Sequence, residues 1–145
     1  MKFDTQIIAV DWGQVNIGFA LGRADGLTKK PLKTYKRTQP VKKWVLTDDV
    51  LTYIKSLLKE HEADVLVFGL PLNADGSDNN NSKRARKFVE YLKHQITQTI
   101  NLQDENSTTQ EDHARNFENN DQKAAFIILQ RFIDSNISSG ILKDT

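Results

Sequence analysis

Residues 65–70 read Val-Leu-Val-Phe-Gly-Leu without one polar side chain, and that run restricts the fold more than any other stretch. Six residues ending at Pro71 are few for a helix, and a strand that is apolar on both faces needs cover on both. Flanking segments supply the cover. Leu46, Val50, Leu51, Ile54, Leu57 and Leu58 recur at helical spacing, starting near Thr47 or slightly earlier. A second helix carries Ala85, Phe88, Leu92 and Ile96 on one side, with Ser82 as its cap. Asp121 opens a third, with Ala125, Ile128, Leu129 and Phe132 inward.

The first part of the chain predicts strands. The apolar residues 7–10 end in Asp11-Trp12-Gly13; Ile17, Phe19 and Leu21 then alternate with Gly18, Ala20 and Gly22. The short link predicts a hairpin, and Gly13 can adopt a positive φ where the chain reverses. After a turn at Asp25-Gly26, residues 32–38 predict a third strand, charged on one face and near an edge. Residues 71–81 read as a loop turning at Asp75-Gly76, and residues 99–102 as a short strand. The order is βββαβαβα, with room for a short helix before the last. This is an α/β fold with a mixed five-stranded sheet and helices on both faces. One domain is expected over residues 1–134, followed by a flexible tail over 135–145.

Composition excludes several classes. With no cysteine among 145 residues, there is neither a disulfide framework nor a Cys-based zinc site, as suits a reducing cytoplasm. Met1 to Thr5 shows no signal-peptide pattern, and the apolar runs are far shorter than the ~20 residues a membrane span needs. His61, His94 and His113 lack metal-site spacing, and neither a Walker loop nor a G-x-S-x-G elbow is present. Net charge is only +1, but it is unevenly distributed. Arg23, Lys29, Lys30, Lys33, Lys36, Arg37, Lys42 and Lys43 face Asp25 alone, and Lys83, Arg84, Arg86 and Lys87 form a second cluster. Residues 104–121 reverse the sign, with Asp104, Glu105, Glu111, Asp112, Glu118 and Asp121 against Arg115. Such charges also arise as ordinary solvated faces. Basic surfaces beside a carboxylate-rich region equally suit a metal-dependent nuclease, with cations on phosphates and carboxylates on metal.

Asp11, directly after a buried strand, is rigidly placed for a metal ligand, or simply begins the turn. Asp104 and Glu105 point in opposite directions at a strand end, so one of them reaches a site there. Asp121 reads first as a helix cap, whose second oxygen stays free for metal. Asn73 lies at the C-terminal end of the central strand, where open α/β sheets bind ligands; it also reads as loop structure beside Pro71.

In combination and order, these segments resemble the YqgF or RuvX-like family of Holliday-junction resolvases and pre-16S rRNA nucleases. The resemblance is carried by Ala9-Val10-Asp11-Trp12-Gly13 with Asn16-Ile17-Gly18, and most specifically by Gly69-Leu70-Pro71-Leu72-Asn73-Ala74-Asp75-Gly76 followed by Arg84-Ala85-Arg86-Lys87-Phe88. It continues through Asp104-Glu105 with Thr108-Thr109, and Asp121 with Ala124-Ala125-Phe126. It implies an RNase H-like fold and a cytoplasmic nuclease processing the 5′ end of pre-16S rRNA. It also implies a carboxylate triad on Asp11, Glu105 and Asp121; two Mg²⁺ or Mn²⁺ ions are expected there. The substrate is then RNA or branched DNA, gripped by Asn73, Lys29, Lys30, Lys33, Lys36, Arg37, Lys83, Arg84, Arg86 and Lys87; monomer and homodimer both stay open. The chain departs from the family at Asn106, where an Arg is usual, and at Asn119-Asn120, which end a shortened segment where a Lys is usual. Fewer cations weaken phosphate positioning, which leaves a non-catalytic nucleic-acid-binding module as a second reading. An actin-like ATPase, suggested by Asp11-Trp12-Gly13, ranks last, because 145 residues supply one such domain and not two.

Overall fold

The structure, a computed structural model, describes residues 1–105 and 117–142. Eight elements follow in the expected order: β1 (Gln6–Asp11), β2 (Asn16–Arg23), β3 (Lys29–Lys36), α1 (Asp48–Glu60), β4 (Val65–Leu70), α2 (Asn80–Leu92), β5 (Thr99–Asp104) and α3 (Asn120–Ser139). The five strands form one sheet in the order β3-β2-β1-β4-β5. β1–β2 and β2–β3 are antiparallel, whereas β1–β4 and β4–β5 are parallel. All six residues of β4 are buried, as its composition requires.

Strand alternation sorts the core into two layers. Ile8, Val10, Trp12, Ile17, Phe19, Leu66 and Phe68 pack with α1 and α2 residues Val50, Ile54, Leu58, Phe88 and Leu92. Ile7, Ala9, Ala20, Val65 and Val67 face the other way, against Ala125, Phe126, Ile128, Leu129 and Ile133 of α3. The small residues of β2 thus lie under α3. At Gly18 an added Cβ would fall far inside contact distance of the Asp121 carbonyl oxygen and 3.1 Å from its Cβ; at Gly22 it would meet Leu129 Cδ2 at 2.9 Å.

Strand β3 keeps its pairing by a bulge. Phe19 is opposite Leu32 but Ile17 is opposite Tyr35, so one extra residue intervenes and Leu32 and Tyr35 share a face despite their odd spacing. The strand therefore starts three residues earlier than periodicity predicts.

Several local expectations are corrected. Gly13 has no positive φ, which glycine adopts only at Gly26, Gly76 and Gly140 among the described residues. Gly13 is needed because a Cβ would collide with the carbonyl oxygen of Asn16 across the hairpin. Ser82 is the third residue of α2 and not its cap: Asn79 caps, accepting from Ser82 N at 2.8 Å while Ser82 Oγ accepts from Asn79 N at 2.8 Å. That helix ends at Leu92, and Ile96 packs from the following loop. Residues 135–139, expected as tail, continue α3 with Asn136 buried, and the helix stops at Gly140, which has φ 71°. The short helix allowed before α3 and Asn106, Thr108 and Thr109 lie outside the described residues. Among those residues, no helix is long and apolar enough to cross a membrane.

A methyl group at Gly18 must push the first turn of α3 off the sheet. Gly18→Ala is expected to cost about 1–3 kcal/mol, seen as a lower urea midpoint with an unchanged m value.

Candidate active site

Asp11 is the last residue of β1, and its side chain points to the α3 face, as do those of Ile7 and Ala9. Both of its lateral neighbours are glycines. Gly18 is its antiparallel partner on β2, and Gly69 follows Phe68, which pairs with Val10 on β4. Each glycine makes room for another acid. The Asp121 backbone sits on Gly18, and Glu105 Oε2 occupies the space a Cβ at Gly69 would fill, with Ile128 Cδ1 2.8 Å from that same point. Glu105 follows β5 directly and is held by its own N–H, which donates to Leu70 O at 3.2 Å. Glu105, not Asp104, therefore stands over Gly69.

Asp121 is not the helix cap that its position in the sequence suggests. Asn119 caps α3, accepting from Gln122 N at 2.8 Å, and Asp121 lies inside the first turn. A negative charge is favoured there by the helix dipole, and the carboxylate is released from the capping task.

The electrostatics of the acids are coupled. Burial pushes the Asp11 carboxyl from 3.8 up to about 7; Glu105 and Asp121 add to the rise, and Lys43 opposes it. Glu105 is also raised, chiefly by burial, with Lys43 again opposing and Asp104 adding. Lys43 thus bears on the charge of both acids. It arrives on the segment after β3, which is tied to the β1–β2 turn by Arg37 Nε to Gly13 O (3.0 Å) and Val41 N to Gln14 O (3.3 Å). Lys43 belongs to the first basic cluster, but its place at the site is not readable from spacing; the loop brings it there.

Among the described residues, no three acidic or imidazole side chains are drawn tightly enough together to hold a metal ion unaided. The donor set is all oxygen, which suits a hard divalent cation such as Mg²⁺ or Mn²⁺, and the glycine-lined cradle leaves the carboxylates accessible to each other. In these respects the residues fit such an ion.

The remaining candidates divide. Lys30, Lys33 and Lys36 are exposed on edge strand β3, while Lys29 is half-buried and its Nζ donates to Gln130 Oε1. Lys83, Arg84, Arg86 and Lys87 are exposed on α2, with Arg86 paired to Asp78 at 3.0 Å. Arg37 is a correction. Only 5% exposed, it donates to Gly13 O and Val45 O and covers the Trp12 ring at 4.8 Å, so it braces the loop and is turned away from any phosphate outside. Asn73 closes the loop after β4: its Nδ2 donates to Ser77 Oγ at 3.0 Å, and its Oδ1 accepts from Asn79 at 3.0 Å.

Comparison with known proteins gives one direction. The family model RuvX, described as Holliday junction resolvase, matches residues 5–135. A protein of Haemophilus ducreyi named "Putative pre-16S rRNA nuclease" is 34% identical over 142 residues, covering 91% of this chain and 98% of the relative. One of the same name from Aeromonas salmonicida is 39% identical over 118 residues, 81% of this chain and 79% of that protein. The RuvC structure of Thermus thermophilus superposes with a TM-score of 0.52, covering 91% of this chain and 97% of RuvC; at 8% identity this is a likeness of fold.

The Asp11 shift has a stability consequence. Between 3.8 and about 7 the folded chain holds a proton that the unfolded chain has lost, so stability falls as pH rises through this window, and the cost is complete above it. Asp11→Asn removes the cost. In metal-free buffer at about pH 8 its Tm is expected about 5 °C above the parent's, as a gain of about 1–2 kcal/mol gives in a domain of this size, with little difference at about pH 4. Circular-dichroism melts at the two pH values check this.

Proposed function

The chain belongs to the RuvX family, and from that premise we propose that it is a cytoplasmic, divalent-metal-dependent nuclease that hydrolyses a phosphodiester bond in the 5′ region of pre-16S rRNA. The observation that carries the reading is the convergence of Asp11, Glu105 and Asp121 at one end of the sheet, with Asp11 raised to about 7 partly by the other two. Asp11, Glu105 and Asp121 are the residues that would hold the metal. When bound, Mg²⁺ or Mn²⁺ supplies the Lewis acidity for phosphodiester hydrolysis and balances charge on the leaving oxygen.

The chain's own groups do the rest. β1 and α3 hold Asp11 and Asp121 on rigid elements, which limits the reorganisation needed when substrate arrives. Lys43 places a positive charge beside Asp11 and Glu105, where a scissile phosphate would lie, and so offsets the cations that the family carries at the positions of Asn106 and the segment before Asp121. Exposed Lys30, Lys33 and Lys36 on β3 and Lys83, Arg84, Arg86 and Lys87 on α2 contact the nucleic-acid backbone, which gives affinity without base reading. Asn73 acts indirectly: its amide donates to Ser77 Oγ at 3.0 Å and to Asp78 O at 3.3 Å, which holds the shape of the loop after β4.

Asp11→Asn is expected to abolish Mg²⁺- or Mn²⁺-dependent cleavage of a pre-16S 5′ fragment while RNA binding in gel shift stays close to the parent's. Full cleavage by that variant dismisses the assignment. A four-way DNA junction, assayed alongside with and without Mn²⁺, tests the resolvase activity by which the family is described; cleavage of the junction but not the RNA replaces the RNA substrate with branched DNA. Adding Mn²⁺ is also expected to raise the Tm of the parent and not that of Asp11→Asn.

A further inference from the structure

On the α1 and α2 side of the sheet lies an open pocket of about 370 Å³ whose lining includes Lys43, Trp44, Arg84, Lys87, Phe88 and Tyr91. Its composition is selective: three cations, three aromatic rings and no carboxylate. Arg84, Lys87 and Tyr91 are spaced three and four residues apart on α2, so they share one face of the helix. Tyr91 is 56% exposed, unusual for so large a ring, whereas Phe88 beneath it is buried.

The opposite wall is held with care. Trp44 has φ 69°, a backbone conformation rare for a bulky residue. Its indole Nε1 donates to Asn81 Oδ1 at 2.7 Å, and its ring stacks on Trp12 at 6.4 Å with planes 9° apart and meets Phe88 at 5.5 Å. Strained, over-determined residues of this kind cluster at ligand clamps. Lys43, whose Nζ lies 5.4 Å from the Trp44 ring centroid, also bears on the charge of Asp11 and Glu105. One side chain of the pocket lining is therefore coupled by its charge to the acids.

We propose that this pocket is a subsite for one unpaired nucleotide of the substrate, whose base stacks on Tyr91 while the adjoining phosphates lie against Arg84, Lys87 and Lys43. A base inside a duplex is stacked on both faces and cannot lay one on a tyrosine ring, so the subsite selects single-stranded nucleic acid over the interior of a duplex. Aromatic stacking combined with cations on the backbone is the general means by which proteins hold single strands. The inference rests on the nuclease reading for its substrate class and adds to it a preference for unpaired over duplex substrate.

Binding in EDTA separates the two, since it needs no cleavage. Fluorescence anisotropy with a short labelled single strand is expected to show affinity falling about tenfold for Tyr91→Ala, the size of one lost stacking contact. Tyr91→Phe, which keeps the ring, should hold the parent's affinity. A long duplex of the same composition, whose terminal pairs are a negligible share of its sites, should bind Tyr91→Ala and the parent equally, while Arg84→Ala weakens binding of the single strand. Ribo- and deoxyribo-oligonucleotides are titrated in parallel, the tighter one identifying the sugar the subsite accepts. Unchanged single-strand affinity in Tyr91→Ala, or equal losses for single strand and duplex, overturns the subsite. Neither result touches the nuclease assignment, which stands or falls on cleavage by Asp11→Asn.

Discussion

The backbone of α3 rests directly on β2 at Gly18, and the geometry of the acidic site follows from that contact. With no side chain between them, the first turn of α3 comes down to the sheet beside the residue paired with Asp11. The same end of α3 is fastened laterally: Gln122 Nε2 donates to Leu32 O at 2.8 Å, and Thr34 Oγ1 to Asn119 Oδ1 at 3.2 Å. Helix, cap and edge strand are thus joined where Asp121 must sit. Farther along, Ala125, Leu129 and Ile133 are buried against the sheet and continue the seam.

That packing carries an electrostatic cost. Desolvating a carboxylate and surrounding it with two more opposes folding unless positive charge compensates, and Lys43 compensates in part. The rest of the molecule absorbs the difference through two dense layers. On the face away from α3, Trp12 packs against Phe88 at 4.5 Å and Phe68 at 5.9 Å. Because Trp12 follows Asp11 in the chain, one short segment anchors the aromatic layer with one residue and presents the acid on the opposite face with the other. The loop after β3 ties these sides together, as Arg37 covers Trp12 while Lys43 reaches the acids.

Errors in the sequence reading have a common physical origin. Asp121 and Ser82 both have the chemistry of a cap, but Asn119 and Asn79 cap the helices, because the position that caps is set by where the chain enters the helix and not by which polar residue stands nearest the apolar run. Arg37 lies in a run of exposed lysines and nothing in its neighbours marks it as buried; its partners, Gly13 O and Val45 O, are supplied by chain folding back over the hairpin. Gly13 and Gly18 read as a turn residue and as the small half of an alternation. Both are required by close approach of another backbone, and such approach leaves no mark on local sequence.

Local pattern alone determined the order of the elements, the central place of β4 and the inward faces of all three helices, since periodicity and unbroken apolar runs report burial directly. It also marked the acids at the ends of β1 and β5. Only the tertiary structure decided that Glu105 and not its neighbour lies over Gly69, that Asp121 is free of capping, and that Lys43 lines an aromatic pocket. Those are distances between residues far apart in the chain, governed by how closely α3 and the loop after β3 settle on the sheet, and no one-dimensional pattern encodes them.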